Sequence, residues 1–252
     1  MKRASIFLIF LSGCFFGIYQ RPKTLGEGNL DLSVGASIQF TANPYDRRDI
    51  EKMGYALYPN LGFALAYGIY NGIDVGFAMF GCGMGPFLRF SLYKEKIKGV
   101  ENEFLIAPYV LYDPIFSKSV GARIDAIYSW QINKNFEPFI FYQLYYQPFF
   151  QDFLDPKPLG NIGSGFYHFI GFGSNINTYL DRRAKTPDLR FNFEFGFLPV
   201  YFEANKKLVP VFNFGLGFGG DGLFKCRREK SGVYCPSDVI MNILYLLFLL
   251  GS

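Results

Sequence analysis

Leu30-Asp31-Leu32-Ser33-Val34-Gly35-Ala36-Ser37-Ile38-Gln39-Phe40-Thr41 is the stretch on which the reading of this chain turns. Every even position is apolar, and every odd position is polar or glycine. Side chains of an extended strand point alternately to opposite faces, so the stretch has one greasy side and one wet side along its whole length. Strands of globular proteins run about 5–6 residues, whereas a tilted strand that crosses a bilayer needs about 9–11. Leu30–Thr41 has the longer length, and so do several segments after it.

Moving outward, strand two runs from about Tyr55 to Ile69, with Leu61, Phe63, Leu65, Tyr67 and Ile69 set against Asn60, Gly62, Ala64, Ala66 and Gly68. Strand three covers Ile73 to Cys82, and Asn71-Gly72 between the two is a hairpin signal. A strict two-residue turn would place Ile69 and Asp74 on one face. The reading is therefore a three-residue loop, Tyr70-Asn71-Gly72, that sets Ile69 opposite Ile73 and puts Gly72 in the left-handed position. Strand four, Pro86 to Tyr93, turns Leu88, Phe90 and Leu92 outward, and strand five starts at about Glu103, leaving a longer turn around Lys96. Strand six alternates from Val120 to Ile132, broken on its wet side only by Ile127. Asn133-Lys134-Asn135 repeats the three-residue logic, matching Ile132 to Phe136 with Asn135 left-handed. Four further strands end near Gln147, Tyr179, Phe197 and Phe218.

The fold class is all-β: a transmembrane antiparallel up-and-down β-barrel of about ten strands over residues 30–219. A Cys-bracketed loop and a short apolar segment, Val239 to Leu250, follow in residues 220–252. Should that segment supply further strands, the number becomes twelve. Composition agrees, because the chain is 20% aromatic and only 18% charged, which leaves little charge to cover an aqueous surface. No apolar run reaches the roughly 20 residues of a spanning helix. The modest net charge of +4 gives no reason to expect nucleic acid.

Met1-Lys2-Arg3 and the apolar Ile6 to Leu11 have the form of an export signal. Leu11-Ser12-Gly13-Cys14 then resembles a bacterial lipobox, in which small residues precede a cysteine that is acylated to become the mature N-terminus. Residues 1–13 are accordingly a lipoprotein-type signal peptide, Cys14 the lipid attachment point, and residues 14–29 a polar linker. With Thr24-Leu25-Gly26-Glu27-Gly28 leading into the first Gly-studded strand, the chain resembles outer-membrane barrel lipoproteins of diderm bacteria. That resemblance implies an outer-membrane location, a periplasmic N-terminus and a porin-like barrel. It also implies lipid, the barrel-assembly machinery and the lipoprotein-sorting machinery as partners.

The wet faces carry Arg89, Arg123, Asp125, Glu137, Arg190 and Glu194. A ten-stranded barrel is narrow enough for side chains to fill it, and buried charges of mixed sign call for pairing. A polar lumen network with a structural or small-solute passage role, without catalysis, is the expectation. An enzyme reading meets an obstacle: the one histidine, His168, stands six residues from Ser174, about 20 Å along a strand. An envelope lipid hydrolase is therefore a distant alternative. A soluble, secreted lipid-binding barrel is nearer, and would turn the phenylalanines of strand nine inward and Arg190 and Glu194 outward. Cys226 and Cys235 bracket eight residues and are a candidate disulfide in an oxidising envelope. No cofactor or metal motif is present: the Gly-rich stretches lack the lysine and the strand–helix setting of a phosphate loop.

Overall fold

Ten strands pair in sequence order and the last closes on the first. They are β1 (Leu30–Thr41), β2 (Ala56–Tyr70), β3 (Ile73–Phe80), β4 (Gly83–Ile97), β5 (Val100–Tyr112), β6 (Val120–Gln131), β7 (Phe136–Gln147), β8 (Gly165–Thr178), β9 (Leu189–Phe202) and β10 (Lys207–Gly220). The structure, a computed structural model, describes residues 18, 20–41, 56–80, 83–112, 120–147, 165–179, 187, 189–202, 207–220, 227–229 and 232–234. All neighbouring strands are antiparallel. Closure runs from Leu32 opposite Gly220 to Thr41 opposite Val211. A closed ladder leaves no edge of unpaired N–H and C=O groups, as a structure in hydrocarbon requires. The chain is thus a closed ten-stranded antiparallel barrel.

The two faces are those the alternation predicts. On β9, Phe193 is 41% exposed while its neighbour Asn192 is 1% exposed. Outward apolar residues recur on strand after strand, among them Leu88, Val110, Ile124, Ile140, Phe172, Phe195 and Leu216. Water-facing surfaces rarely carry apolar patches beyond a few hundred Å², so this continuous coat suits acyl chains. Arg190 and Glu194 are buried inside, opposite to the arrangement a soluble lipid-binding barrel would need. In a variant lacking native cysteines, a nitroxide on Phe193→Cys in bilayers is expected to collide readily with dissolved oxygen, and one on Asn192→Cys is not. The reverse order would place the faces the other way round.

The turns differ in detail from the sequence expectation. Tyr70 pairs with Ile73 around a two-residue Asn71-Gly72 turn, and a bulge at Ile69, between the Gly68–Asp74 and Tyr70–Ile73 pairs, absorbs the extra residue. The greasy faces stay aligned because a bulge sets two residues against one. Gly72 does have positive φ, +87°. At the β6–β7 hairpin, Ile132 N–H donates to Phe136 O, and Phe136 N–H donates to Asn133 O. Two residues again oppose one. Asn135 keeps negative φ, unlike the left-handed position expected, since the Asn133 side chain closes the turn by accepting from the N–H groups of Asn135 and Phe136, both at 2.9 Å. The turn around Lys96 is not long: β4 and β5 continue to Ile97 and Val100, and Lys98 and Gly99, both with positive φ, make a two-residue turn.

These three tight turns, the start of β1 and the 179–188 connection share one end of the barrel. Connections 42–55, 81–82, 113–119, 148–164 and 203–206 belong to the other. Beyond the barrel, β11 (Arg227–Glu229) and β12 (Gly232–Tyr234) form a small hairpin between Cys226 and Cys235. Both cysteines, Cys14 and Val239 to Leu250 lie outside the described residues.

Candidate functional site: a lumen occupied by the N-terminal segment

Among the described residues, six wall carboxylates are buried in the lumen (Asp31, Asp74, Glu103, Asp125, Glu137 and Glu194) against three wall arginines, Arg89, Arg123 and Arg190. Buried charges need partners, so three carboxylates must find theirs elsewhere. Three wall pairs are direct. Arg190 grips Asp31 through two hydrogen bonds of 2.9 and 3.0 Å. Arg123 grips Asp125 at 2.7 and 2.6 Å, and Arg89 meets Asp74 at 2.8 Å. Bidentate guanidinium–carboxylate contacts of this kind are among the strongest charge-assisted hydrogen bonds.

The remaining partners come from Lys94 of β4, whose Nζ lies 3.5 Å from Glu103, and from the stretch before β1. The backbone N–H of Ile18 donates to Glu194 Oε2 at 2.7 Å. The backbone N–H and hydroxyl of Thr24 both donate to Glu103 Oε1, at 2.9 and 2.7 Å. Leu25 N–H reaches both oxygens of Asp74, at 3.1 and 3.2 Å. Lys23 Nζ lies 3.6 Å from Glu137 and 3.7 Å from Glu101, and donates to Gln131 Oε1 at 3.2 Å. Carbonyls of the segment are met in turn: Arg89 Nη1 donates to Arg21 O at 2.8 Å, and Ser129 Oγ to Pro22 O at 3.3 Å. Residues read as a linker therefore run inside the barrel, bonded to β3, β4, β5, β6 and β9. An extended peptide without sheet partners has its own donors and acceptors to satisfy, and the wall's surplus carboxylates do so.

The segment leaves the lumen by a turn that only glycine permits. Gly26 and Gly28 have φ of +78° and +76°, and Gly28 N–H donates to Gly68 O at 2.9 Å. The amide of Asn29 ties the turn, donating to Leu25 O at 3.0 Å. Deeper in, Arg123 lies under the Phe80 and Tyr109 rings, at 4.6 and 4.8 Å from their centroids. Gln20 Nε2 donates to the Tyr109 hydroxyl at 3.3 Å. On the other side Phe139, Phe141 and Phe169 turn inward, their rings lying over the bare backbone of Gly173, Gly171 and Gly196.

All six lumen residues expected from the sequence, Arg89, Arg123, Asp125, Glu137, Arg190 and Glu194, are buried inside the barrel. They are not one network. Arg123 and Asp125, with Gln143 donating to Asp125 at 3.1 Å, form a unit on adjoining strands. Glu137 accepts from Asn175, which accepts from Asn192. The sequence reading missed Glu103 and Tyr109, because the faces of strand five were not assigned, and the inward phenylalanines, because the wet face was sought in polar residues alone. His168 points outward, where its Nδ1 lies 2.5 Å from the Tyr142 hydroxyl, away from every lumen group. Ser174 is six positions along the same strand, on the same outward face.

At the short-turn mouth, a cavity of about 1170 Å³ opens between the segment and the rim, lined by residues that include Arg21, Thr24, Asn71, Lys94, Gln131, Lys134 and Tyr179. Burial draws the Lys23 ammonium below the ordinary lysine range, with Glu137 and Glu101 opposing. Burial lifts the Tyr179 phenol above its usual range, and the nearby Arg21 guanidinium pulls it back.

No protein-family model and no curated protein matches the chain. Among solved structures, it is similar to the attachment invasion locus protein Ail of Yersinia pestis, at 14% identity and a TM-score of 0.26 over 77% of this chain and 98% of that one. It is also similar to neisserial surface protein A, at 15% identity and a TM-score of 0.31 over 76% and 96%. A third is the outer membrane protease OmpT of Escherichia coli, at 10% identity and a TM-score of 0.27 over 79% and 98%. At such scores the fold assignment stands on the chain's own closed ladder: a ten-stranded antiparallel barrel, apolar outside and polar within, whose lumen holds its own N-terminal segment.

Proposed function

We propose that this chain is an outer-membrane barrel for small-solute passage, held shut by residues 18–25. The observation that carries the reading is the bonding of Ile18, Thr24 and Leu25 backbone N–H groups to the carboxylates of Glu194, Glu103 and Asp74. A stopper held by apolar packing would expose greasy surface on leaving. This one is held in both ways: Ile18 and Leu25 pack in the apolar part of the lumen, while the charge-assisted hydrogen bonds leave groups on both sides that water satisfies, so withdrawal uncovers a path wetted along Glu194, Glu103 and Asp74. The short-turn end faces the periplasm in this reading, since barrels of this kind place short turns there.

Lipid attachment at Cys14 fits the same picture. Ile18 is four positions further along the chain, roughly 14 Å at full stretch. An anchor in the inner leaflet would therefore draw on the chain that seats the segment. The lipoprotein-sorting and barrel-assembly machineries are the partners that follow.

The test is conductance in planar bilayers. The intact chain is expected to be silent, and a variant in which residues 18–25 are replaced by a Gly-Ser spacer is expected to show discrete openings. Equal silence in a folded replacement variant would leave the segment as a structural filler. A conducting wild type would remove the stopper role.

A further inference from the structure

We propose that the cavity at the short-turn mouth binds an oxyanion, a phosphate or carboxylate group carried by a polar solute, on Arg21 and Lys134. Arg21 is only 7% exposed, yet its Nε has no hydrogen-bond partner and its guanidinium makes no ion pair among the described residues. Its backbone is held, since Arg21 O accepts from Arg89, so the charge is positioned while its Nε is unspent. Every other buried cation among the described lumen residues has a carboxylate in contact: Lys23 with Glu137, Arg89 with Asp74, Arg123 with Asp125, Arg190 with Asp31. An enclosed guanidinium beside an open cavity is built to receive an acceptor.

The surroundings add to this. Lys134 Nζ stands 4.1 Å over the Tyr179 ring, on the same cavity wall. The acidic lining residue Glu101 is already taken by Lys94 at 3.2 Å and Lys23 at 3.7 Å, and Glu27 is exposed at the rim. Thr24, Asn71 and Gln131 supply neutral polar groups suited to hydroxyls or amides on the rest of the solute. At about 1170 Å³ the space exceeds a bare ion and is of the size that holds small organic ligands.

The inference rests on the seated segment, which carries Arg21, but not on its release. A failed conductance experiment would leave it standing. The experiment titrates inorganic phosphate into the full chain in phosphatidylcholine nanodiscs, by calorimetry at constant ionic strength. Arg21→Gln is expected to weaken binding about tenfold or more, the worth of one charge-assisted contact. Lys134→Gln should weaken it by a smaller factor, and Lys96→Gln, an exposed cation outside the cavity, not at all. Should Arg21→Gln fail to fold, the Lys134→Gln and Lys96→Gln pair decides. Wild type that binds no phosphate, or equal affinity in wild type and the cavity variants, overturns the proposal. A second titration in phosphatidylglycerol discs separates the sources: loss of phosphate binding there assigns the site to a lipid headgroup, and unchanged binding assigns it to a soluble anion.

Discussion

Gly68→Ala is expected to unseat the N-terminal segment and open the barrel. A Cβ at Gly68 would stand 1.9 Å from the carbonyl oxygen of Gly26 and 2.7 Å from its carbon. Both are backbone atoms, so no flexible side chain can swing aside. Gly68 is itself fixed on β2, paired with Asp74 of β3, and its N–H and C=O bond Asn29 and Gly28. The wall cannot retreat, and the turn at Gly26–Asn29 must. Leu25 N–H then leaves Asp74, and the contacts of Thr24, Lys23 and Ile18 follow along a peptide with no sheet partners of its own. The expected result is discrete conductance where wild type is silent, together with new protease cleavage between residues 18 and 25. The unfolding transition of the barrel should change little, because the three wall ion pairs are untouched. A silent, protease-resistant Gly68→Ala protein would show that the turn tolerates the methyl group and that the seating is not controlled there.

The second large effect concerns the wall. Arg190→Met should destabilise the folded barrel by about 3–5 kcal/mol, the range for leaving one partner of a buried ion pair alone. Arg190 is fully buried, Asp31 nearly so, and the same guanidinium bonds Ser33. The pair also sits on the closing strands, since β1 carries Asp31 and β9 carries Arg190 with β10 between. Arg190→Met combined with Asp31→Leu should recover most of the loss, because the charge without a partner is gone. Lys94→Met removes contacts at 3.2 Å to half-exposed Glu101 and 3.5 Å to buried Glu103, and should cost less than Arg190→Met, because Lys94 is half exposed and Thr24 still donates to Glu103. Urea-induced unfolding in lipid vesicles measures all three. A loss below about 1 kcal/mol for Arg190→Met would mean that water reaches Asp31 freely and the lumen there is wet.

Much of this architecture is legible in the residue order. Strict alternation from Leu30 to Thr41 and along β6 and β9 assigns each side chain to a face, and period-two geometry leaves no freedom in that assignment. The six polar residues assigned to the inner face on that ground are all buried. Turn detail was less legible: a two-residue turn with a bulge and a three-residue loop keep the same faces aligned, so Ile69 and Ile132 could take up the slack in either form. Phe139, Phe141 and Phe169 escaped notice because an aromatic ring suits either face. Only the glycines across the ladder give those rings room inside.

The sequence by itself determined that long two-faced strands close into a barrel with charge inside and phenylalanine outside, since alternation is a local property. It also held a signal that a count over the inner faces of the strands could have exposed, six inward carboxylates against three inward arginines among the described residues. What answers that surplus depended on which stretch lies within reach of Glu194, Glu103 and Glu137. Those carboxylates sit on strands far apart in the chain and converge only once the sheet has closed. The tertiary structure alone decided that Ile18 and residues 20–25 lie in the lumen, because a peptide without periodicity takes its conformation from its partners.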